Sequence, residues 1–440
     1  TPYLPIQIFC WKVWISYHYI QMKMIKKLIV VVTLIITSFS WAQDNTSSPY
    51  SYYGSGEIKF RGTQDTKSMG DLNIVGDSIH LNLMNPASYS RLKITTFAIG
   101  GTGNFSHLDT ETGTEKAQRT TLDYLAMGIP LGKFGVSFGI TPYSAVGYKI
   151  QNYSTTANIA RANSYSGEGN VNRVFFGAGY NLTKKLSAGL NFSYHFGQIE
   201  TEAVEFIVDP AVQLGSRERN TSNIKGISTS LGLLYNTKIN TKLDLFTSFN
   251  YRPQSKLNTE NERNIATVLY NINGTEIVGD QEDIAVADTK MVIPSQFSFG
   301  AGIGRDKKWL IGTELTFTEN SNLTNRFADI VGSTFENSTK LSVGGFFIPK
   351  YDSFSSYLSR VVYRAGFRYE NTGLVLKNKS INDYGMNFGL GLPVGVSQIN
   401  LGFEFGKRGT IYSGLIEENY FNLSVGLSLN DIWFKKRKID

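Results

Sequence analysis

The chain has 440 residues, with 43 lysines and arginines against 36 aspartates and glutamates, a single cysteine, and 24 tyrosines and 28 phenylalanines. Its formal charge of +7 falls to +3 once Lys12, Lys23, Lys26 and Lys27 are set aside, because no acid precedes Gln43. That balance argues against a nucleic-acid partner, which would call for a basic stripe; the run Lys435-Lys436-Arg437-Lys438 reads as a solvated tail.

Residues 1–21 precede the first methionine and read as upstream sequence outside the protein proper. From 22 to 42 the order is Lys26-Lys27, the apolar run Leu28 to Ile36, then Ser40-Trp41-Ala42. A basic segment, a short apolar core and small residues at a cleavage point form an export signal. Cys10 falls in the upstream segment, so the exported chain is expected to carry no disulfide.

The next stretch, 43–90, holds Ser48-Pro49-Tyr50, Ser68-Met69-Gly70-Asp71 and Asn85-Pro86-Ala87, which predict turns rather than a continuous strand. It is expected to pack as a compact segment against something else.

Beyond Leu92, apolar and small or polar residues alternate in one run after another. On a strand such alternation puts one kind of residue on each face. The expected strands begin with Thr96 to Asn104, Thr121 to Ile129, Phe134 to Pro142, Val146 to Tyr153, Val171 to Leu182 and Leu186 to Gly197. Ile227 to Asn236, Leu243 to Arg252, Gln296 to Gly304, Trp309 to Thr318 and Lys340 to Ile348 follow. Val361 to Glu370, Tyr384 to Pro393, Ile399 to Lys407 and Asn419 to Phe434 complete the series. These fifteen segments are read as about fourteen strands, with an uncertainty of roughly two because boundaries are poorly fixed by sequence. Behind an export signal, this predicts an all-β fold, a transmembrane antiparallel barrel over 91–434 in the outer membrane of a Gram-negative bacterium. Closure is required because lipid cannot satisfy an open strand edge.

Short connections such as Gly132-Lys133 and Lys184-Lys185 alternate with long ones at Ile199 to Lys225, Gln254 to Val292, Glu319 to Thr339 and Arg408 to Glu418. Short turns are expected on the periplasmic side and long loops outside, with the basic tail 435–440 periplasmic. Asn273-Gly274 between extended runs predicts an extracellular hairpin. The Trp433-Phe434 pair suits an interfacial anchor.

Alternation also assigns the lumen. Tyr363, Ala365, Phe367 and Tyr369 share one face, which leaves Arg364, Arg368 and Glu370 inward; Glu404 is inward by the same logic. On the lipid face each arginine would cost about 2–4 kcal/mol at the midplane. Pairing across the lumen, or against the 43–90 segment, is their expected role.

Catalysis finds no support. His18, His80, His107 and His195 show no metal-ligand spacing, and Gly-x-Gly sequences such as Gly100 to Gly103 lie within strands with no helix to follow. No cofactor is expected.

Together, Ser48-Pro49-Tyr50, Met69-Gly70, Asn85-Pro86-Ala87, Pro294 to Phe297, Tyr363 to Tyr369 and Gly389 to Pro393 resemble the FadL family of outer-membrane hydrophobic-compound channels, PorV-like relatives included. The resemblance implies a fourteen-stranded barrel plugged by an N-terminal hatch over 43–90, with ligand leaving through a lateral opening at a kinked strand. It points to Asn85, Pro86, Ala87, Pro142 and Gly147 along the passage; proline removes a ladder donor and glycine weakens a strand. The implied partners are outer-membrane lipid and a fatty-acid-like hydrophobic small molecule. The polar character of Gln254 to Val292 departs from an apolar capture groove. The alternative is a non-transporting barrel subunit of an outer-membrane protein secretion or assembly complex, with other outer-membrane proteins as partners.

Overall fold

A computed structural model describes residues 46–156, 159–209, 214–271, 275–326 and 332–431. The export signal, the upstream segment, the Asn273-Gly274 turn, the Trp433-Phe434 pair and the basic tail lie outside the described residues.

Among these residues the strands are, in chain order, β1 (Glu57–Ile58), β2 (Thr95–Asp109), β3 (Thr114–Leu131), β4 (Phe134–Thr156), β5 (Ile159–Asn181), β6 (Leu186–Ile207) and β7 (Gly215–Lys238). β8 (Asp244–Arg252), β9 (Ser255–Tyr270), β10 (Glu276–Ile284), β11 (Thr289–Ile293), β12 (Gln296–Arg305) and β13 (Trp309–Thr318) follow. The last are β14 (Ser333–Phe335), β15 (Ser338–Phe347), β16 (Val362–Leu376), β17 (Lys379–Val394), β18 (Ser397–Gly409) and β19 (Glu417–Asp431). Fourteen of them, β2–β8, β12, β13 and β15–β19, form one antiparallel ring. The ring closes where β19 pairs with β2 from Glu417↔Asp109 to Asp431↔Thr95. β8 passes directly to β12 through Arg252↔Gln296.

Phe134 to Pro142 and Val146 to Tyr153, expected as two strands, are one strand of 23 residues with a bulge between Pro142 and Ser144. Ile199 to Lys225 is not a loop, since β6 and β7 stay paired as far as Phe206↔Gly215. Gln254 to Val292 is likewise mostly strand: β9 pairs with β7, β10 and β11. The hairpin expected around Asn273-Gly274 is formed on both sides of that turn by Glu276↔Tyr270.

The outer face is apolar at membrane level. Phe97, Phe105, Phe192, Phe299, Ile311, Phe405 and Val425 are exposed on the ring, whereas Ser187, Glu314, Arg368, Ser424 and Asn430 are buried within it. A closed barrel with an apolar outer band and a polar interior is the architecture of an outer-membrane protein. About 9–11 residues cross a bilayer as a tilted strand. β8, β12, β13 and β15 have 9 or 10, while β4–β7 have 22 to 24 and continue well beyond the bilayer.

Residues 46–94 form short pieces, namely β1, a four-residue helix α1 (Gln64–Lys67) and 3-10 turns at Pro49–Tyr52 and Pro86–Arg91. This segment, called the hatch below, lies against inward-facing glycines. A Cβ at Gly189 would land on the backbone of Pro86 and Ala87, and one at Gly366 on that of Met69 and Gly70. The motif Asn85-Pro86-Ala87 suits its place. The Asn85 side chain caps the turn by accepting from the Ala87 amide at 3.1 Å, and Pro86 occupies a first-turn position where no N–H is needed. Gly70 and Asp71 both have positive φ, which turns the chain after α1 and aims the Asp71 carboxylate at the wall.

A second contact, beginning on the same strand as Gly366, is ionic. Arg368 on β16 is fully buried and lies 3.2 Å from Asp383 on β17, 3.0 Å from Glu404 on β18 and 3.4 Å from Asp71 of the hatch. Arg61 of the hatch reaches Asp383 at 3.4 Å and Glu404 at 3.5 Å. Arg408 on β18 joins Asp383 at 3.0 Å to Glu57 on β1 at 3.0 Å. Tyr420 donates to Asp383 at 2.7 Å and accepts from Arg368 at 2.8 Å. Here the inward charges pair across the wall and with the hatch.

Two outcomes follow from this seating. Gly366→Leu would overpack the hatch against backbone that cannot step aside, and is expected to destabilise the barrel by about 1–3 kcal/mol or more; heat-modifiable gel mobility reads this directly. Arg368→Met leaves Asp383, Glu404 and Asp71 without their shared cation, at a cost of about 3–5 kcal/mol. In urea unfolding followed by tryptophan fluorescence, the Arg368→Met/Asp383→Asn double variant should recover part of that loss.

Candidate functional site

The ring is paired throughout except between β3 and β4. From Leu131↔Phe134 to Leu125↔Ile140 the two strands are in register, and there the pairing stops. β3 continues away from that point to Thr114 along β2 alone, and β4 continues to Thr156 along β5. Each strand carries a bulge where they separate. β3 has Tyr124 opposite Gly100 and Leu122 opposite Gly101, which leaves Asp123 as the extra residue. On β4, Pro142 faces Asn172 and Ser144 faces Val171, so Tyr143 is extra. Pro142 has no N–H to place in a ladder, which suits a position where pairing ends.

Beyond its bulge β4 loses the one-in, one-out pattern. Tyr143, Ser144, Ala145, Val146, Gly147 and Tyr148 are all buried, because the hatch covers the edge that β3 has left. β1 pairs there through Glu57↔Ala145 and Ile58↔Ser144. The Lys59 amide donates to the Tyr143 carbonyl at 3.0 Å, and the Gly147 amide to the Ser51 hydroxyl at 3.1 Å. On the other lip, Lys67 of α1 holds Asp123 at 2.9 Å.

The parting is lined by charge. A cavity of about 70 Å³ beside β1 is bordered by Glu57, Lys59, Arg61, Lys67, Asp123 and Arg408. Farther out, a groove of about 460 Å³ runs between Glu115 and Arg119 on β3 and Lys149 on β4, with Glu168, Glu200 and Arg219 behind. A third cavity, about 230 Å³, lies in the lumen above the hatch core. It mixes Tyr50, Tyr53, Phe60, Met84 and Phe335 with arginines and acids, and extends to Pro294 and Asn320.

Of the residues tied to passage by sequence, Pro142 sits at the parting and Gly147 five residues along in regular pairing with Glu168. Asn85, Pro86 and Ala87 lie elsewhere, with Asn85 and Ala87 buried and Asn85 donating to the Leu233 and Phe249 carbonyls at 3.2 and 3.3 Å. Arg364, Arg368 and Glu404 are buried inward; Arg364 donates to Asn400 at 2.8 Å. Glu370 stays partly exposed and contacts Arg368 at 3.4 Å. Asp71, Asp123, Asp383 and Arg408 were not singled out by sequence. Asp383 and Arg408 lie one residue outside the expected strands Tyr384 to Pro393 and Ile399 to Lys407, so continuing the same alternation by one step would have placed both inward.

Several solved structures share this architecture. The toluene transporter TodX of Pseudomonas putida superposes with a TM-score of 0.55 at 14% identity, covering 88% of this chain and 99% of that one. The toluene transporter TbuX of Ralstonia pickettii gives 0.53 at 12% identity, with 84% and 98% covered. A FadL homologue of Pseudomonas aeruginosa gives 0.52 at 12% identity, with 85% and 99% covered. At such identities the likeness is one of fold. The comparison with curated proteins returns no match. Residues 24–440, which include the hatch and the whole ring, match the family described as BamG. A FadL-like barrel in fold, the chain therefore belongs to the BamG family.

Proposed function

We propose that this barrel is a non-transporting subunit of an outer-membrane protein complex. The observation that carries the reading is the state of the β3–β4 parting, which is filled by the chain's own strand β1 and lined by Lys67, Asp123, Arg61 and Arg408. An apolar solute crossing there would have to displace paired backbone and strip water or partners from buried charges, each step costing several kcal/mol. The ionic seating of the hatch against β16–β18 adds to that cost. A further support is the β extension of β4–β7 with β9–β11, which gives the chain ordered protein surface beyond the bilayer.

A second reading, uptake of hydrophobic small molecules of the fatty-acid or monoaromatic kind, is favoured by the parting itself. It lies in the wall, starts at a proline-marked bulge, and occurs in a barrel whose fold is that of toluene transporters.

One pair of substitutions separates the two. Ile58 and Ser144 are register partners, so Cα atoms of an Ile58→Cys/Ser144→Cys variant lie within reach of a disulfide. A subunit role predicts that the oxidised variant co-purifies with the same stoichiometric outer-membrane proteins as the parent after gentle detergent extraction. It also predicts no toluene or fatty-acid uptake above that of barrel-free proteoliposomes in either redox state. Uptake that vanishes on oxidation and returns with reductant would replace this reading with the transport one.

A further inference from the structure

Arg368 and Arg408 of the β16–β18 wall have carboxylate partners, whereas the wall across the lumen carries two arginines that do not. Arg173 on β5 donates through Nε to the Thr141 hydroxyl at 2.8 Å, and its guanidinium stands 5.2 Å from the Phe60 ring centroid. Arg252 ends β8 on the same inward face as Ser248 and Asn250, and its Nε is buried without a hydrogen-bond partner. Among the described residues no carboxylate forms a salt bridge with either one, and Arg173 feels the like charge of Arg252.

Between them on the neighbouring strands lies His195, the register partner of Arg173 and only 1% exposed. Its Nε2 meets the Ser228 hydroxyl at 2.7 Å, its Nδ1 has no partner, and the Tyr143 ring stands edge-on at 5.0 Å. Both guanidiniums act electrostatically on this imidazole. Arg173, Arg252 and Tyr143 border the same 230 Å³ cavity, whose remaining wall includes Tyr53, Met84 and Phe335 and, on the far side, Glu57, Glu370 and Asp383, each already paired with Arg368 or Arg408.

Two like charges held together in a lumen cost free energy unless a counter-charge joins them. Arg368 and Arg408 meet that requirement with acids, whereas Arg173 and Arg252 face one another's field with none, so here the counter-charge is expected from outside the chain. We propose that the lumen cavity, on its β5–β8 side, binds a phosphate-bearing molecule, its oxygens held by Arg173 and Arg252 and its apolar portion against Tyr53, Met84 and Phe335. Phosphate suits the site better than a carboxylate. It offers up to two negative charges and enough acceptor oxygens for two guanidinium forks at once. The site stands under either reading of the barrel's role, because Arg173 on β5 and Arg252 on β8 do not line the cavity beside β1, although the two cavities meet at Glu57, Ile58, Arg61 and Arg408.

The test uses the purified full-length barrel in a neutral detergent, titrated calorimetrically with inorganic phosphate and with dioctanoyl phosphatidic acid; dioctanoyl glycerol is the uncharged control. The parent should bind at least one phosphate-bearing probe, and Arg173→Met/Arg252→Met should bind it about tenfold or more weakly. Response to both probes identifies free phosphate as a sufficient ligand, and response to phosphatidic acid alone identifies a lipid headgroup. Without any probe, the double variant should unfold at the parent's temperature or above, since it removes a repulsion. Arg252→Gln serves in its place where the double variant does not assemble. Equal binding by parent and variant, no binding by the parent, binding of dioctanoyl glycerol as tight as of phosphatidic acid, or a probe-free loss of thermal stability in the variant overturns the proposal.

Discussion

In a bilayer every backbone N–H and C=O must find a partner within the protein, and the whole architecture answers to that requirement. Thirteen of the fourteen strand junctions meet it along the full membrane crossing by ordinary ladder pairing. The fourteenth, β3 with β4, meets it only as far as Leu125↔Ile140. Past that point the free edge of β4 takes its partners from the hatch, through β1, the Lys59 amide and the Ser51 hydroxyl. The hatch is thus part of the wall as well as the filling.

Two kinds of force hold it there, and they differ in what they contribute. Against β4–β7 and β15–β16 the hatch backbone lies on glycines, so contact is close and dictated by shape; little but a matching surface fits. Against β16–β18 it meets the Arg368, Asp383 and Glu404 cluster, where desolvation offsets much of the attraction and the gain is chiefly in register and orientation. Shape therefore supplies most of the adhesion, and charge selects one seating among those that shape would permit.

How much of this could be read from sequence depended on whether both sides of a strand met different media. Where one face met lipid and the other the lumen, as along Leu186 to Gly197 or Ile399 to Lys407, alternation located the strand and even the inward Arg368 and Glu404. Where the buried face itself carried polar residues, as with Arg217, Asn220 and Ser222 in Ile199 to Lys225, the period-two hydropathy signal vanished and strand looked like loop. Where both faces met protein, around Tyr143 to Tyr148, it vanished again and one strand looked like two. The hatch's turns were legible from proline and glycine, but its partners were not. Contacts such as Asp71 with Arg368 or Lys67 with Asp123 join distant parts of the chain, and nothing local encodes them.

The position of the hatch in the chain constrains how the molecule is built. It precedes β2, and the ring is sealed only when β19, the last strand, pairs with β2. Residues 46–94 are thus already tethered to one seam of the sheet while the other seam is still open. The hatch's contacts fall on both sides of that seam, Lys67 on Thr102 of β2 and Asp123 of β3, and Glu57 on Arg408 of β18, so a formed segment gives the two seam edges a common template. A fault in the hatch would then register first as a barrel that fails to close, and an assembly defect would precede any change in what the finished barrel does.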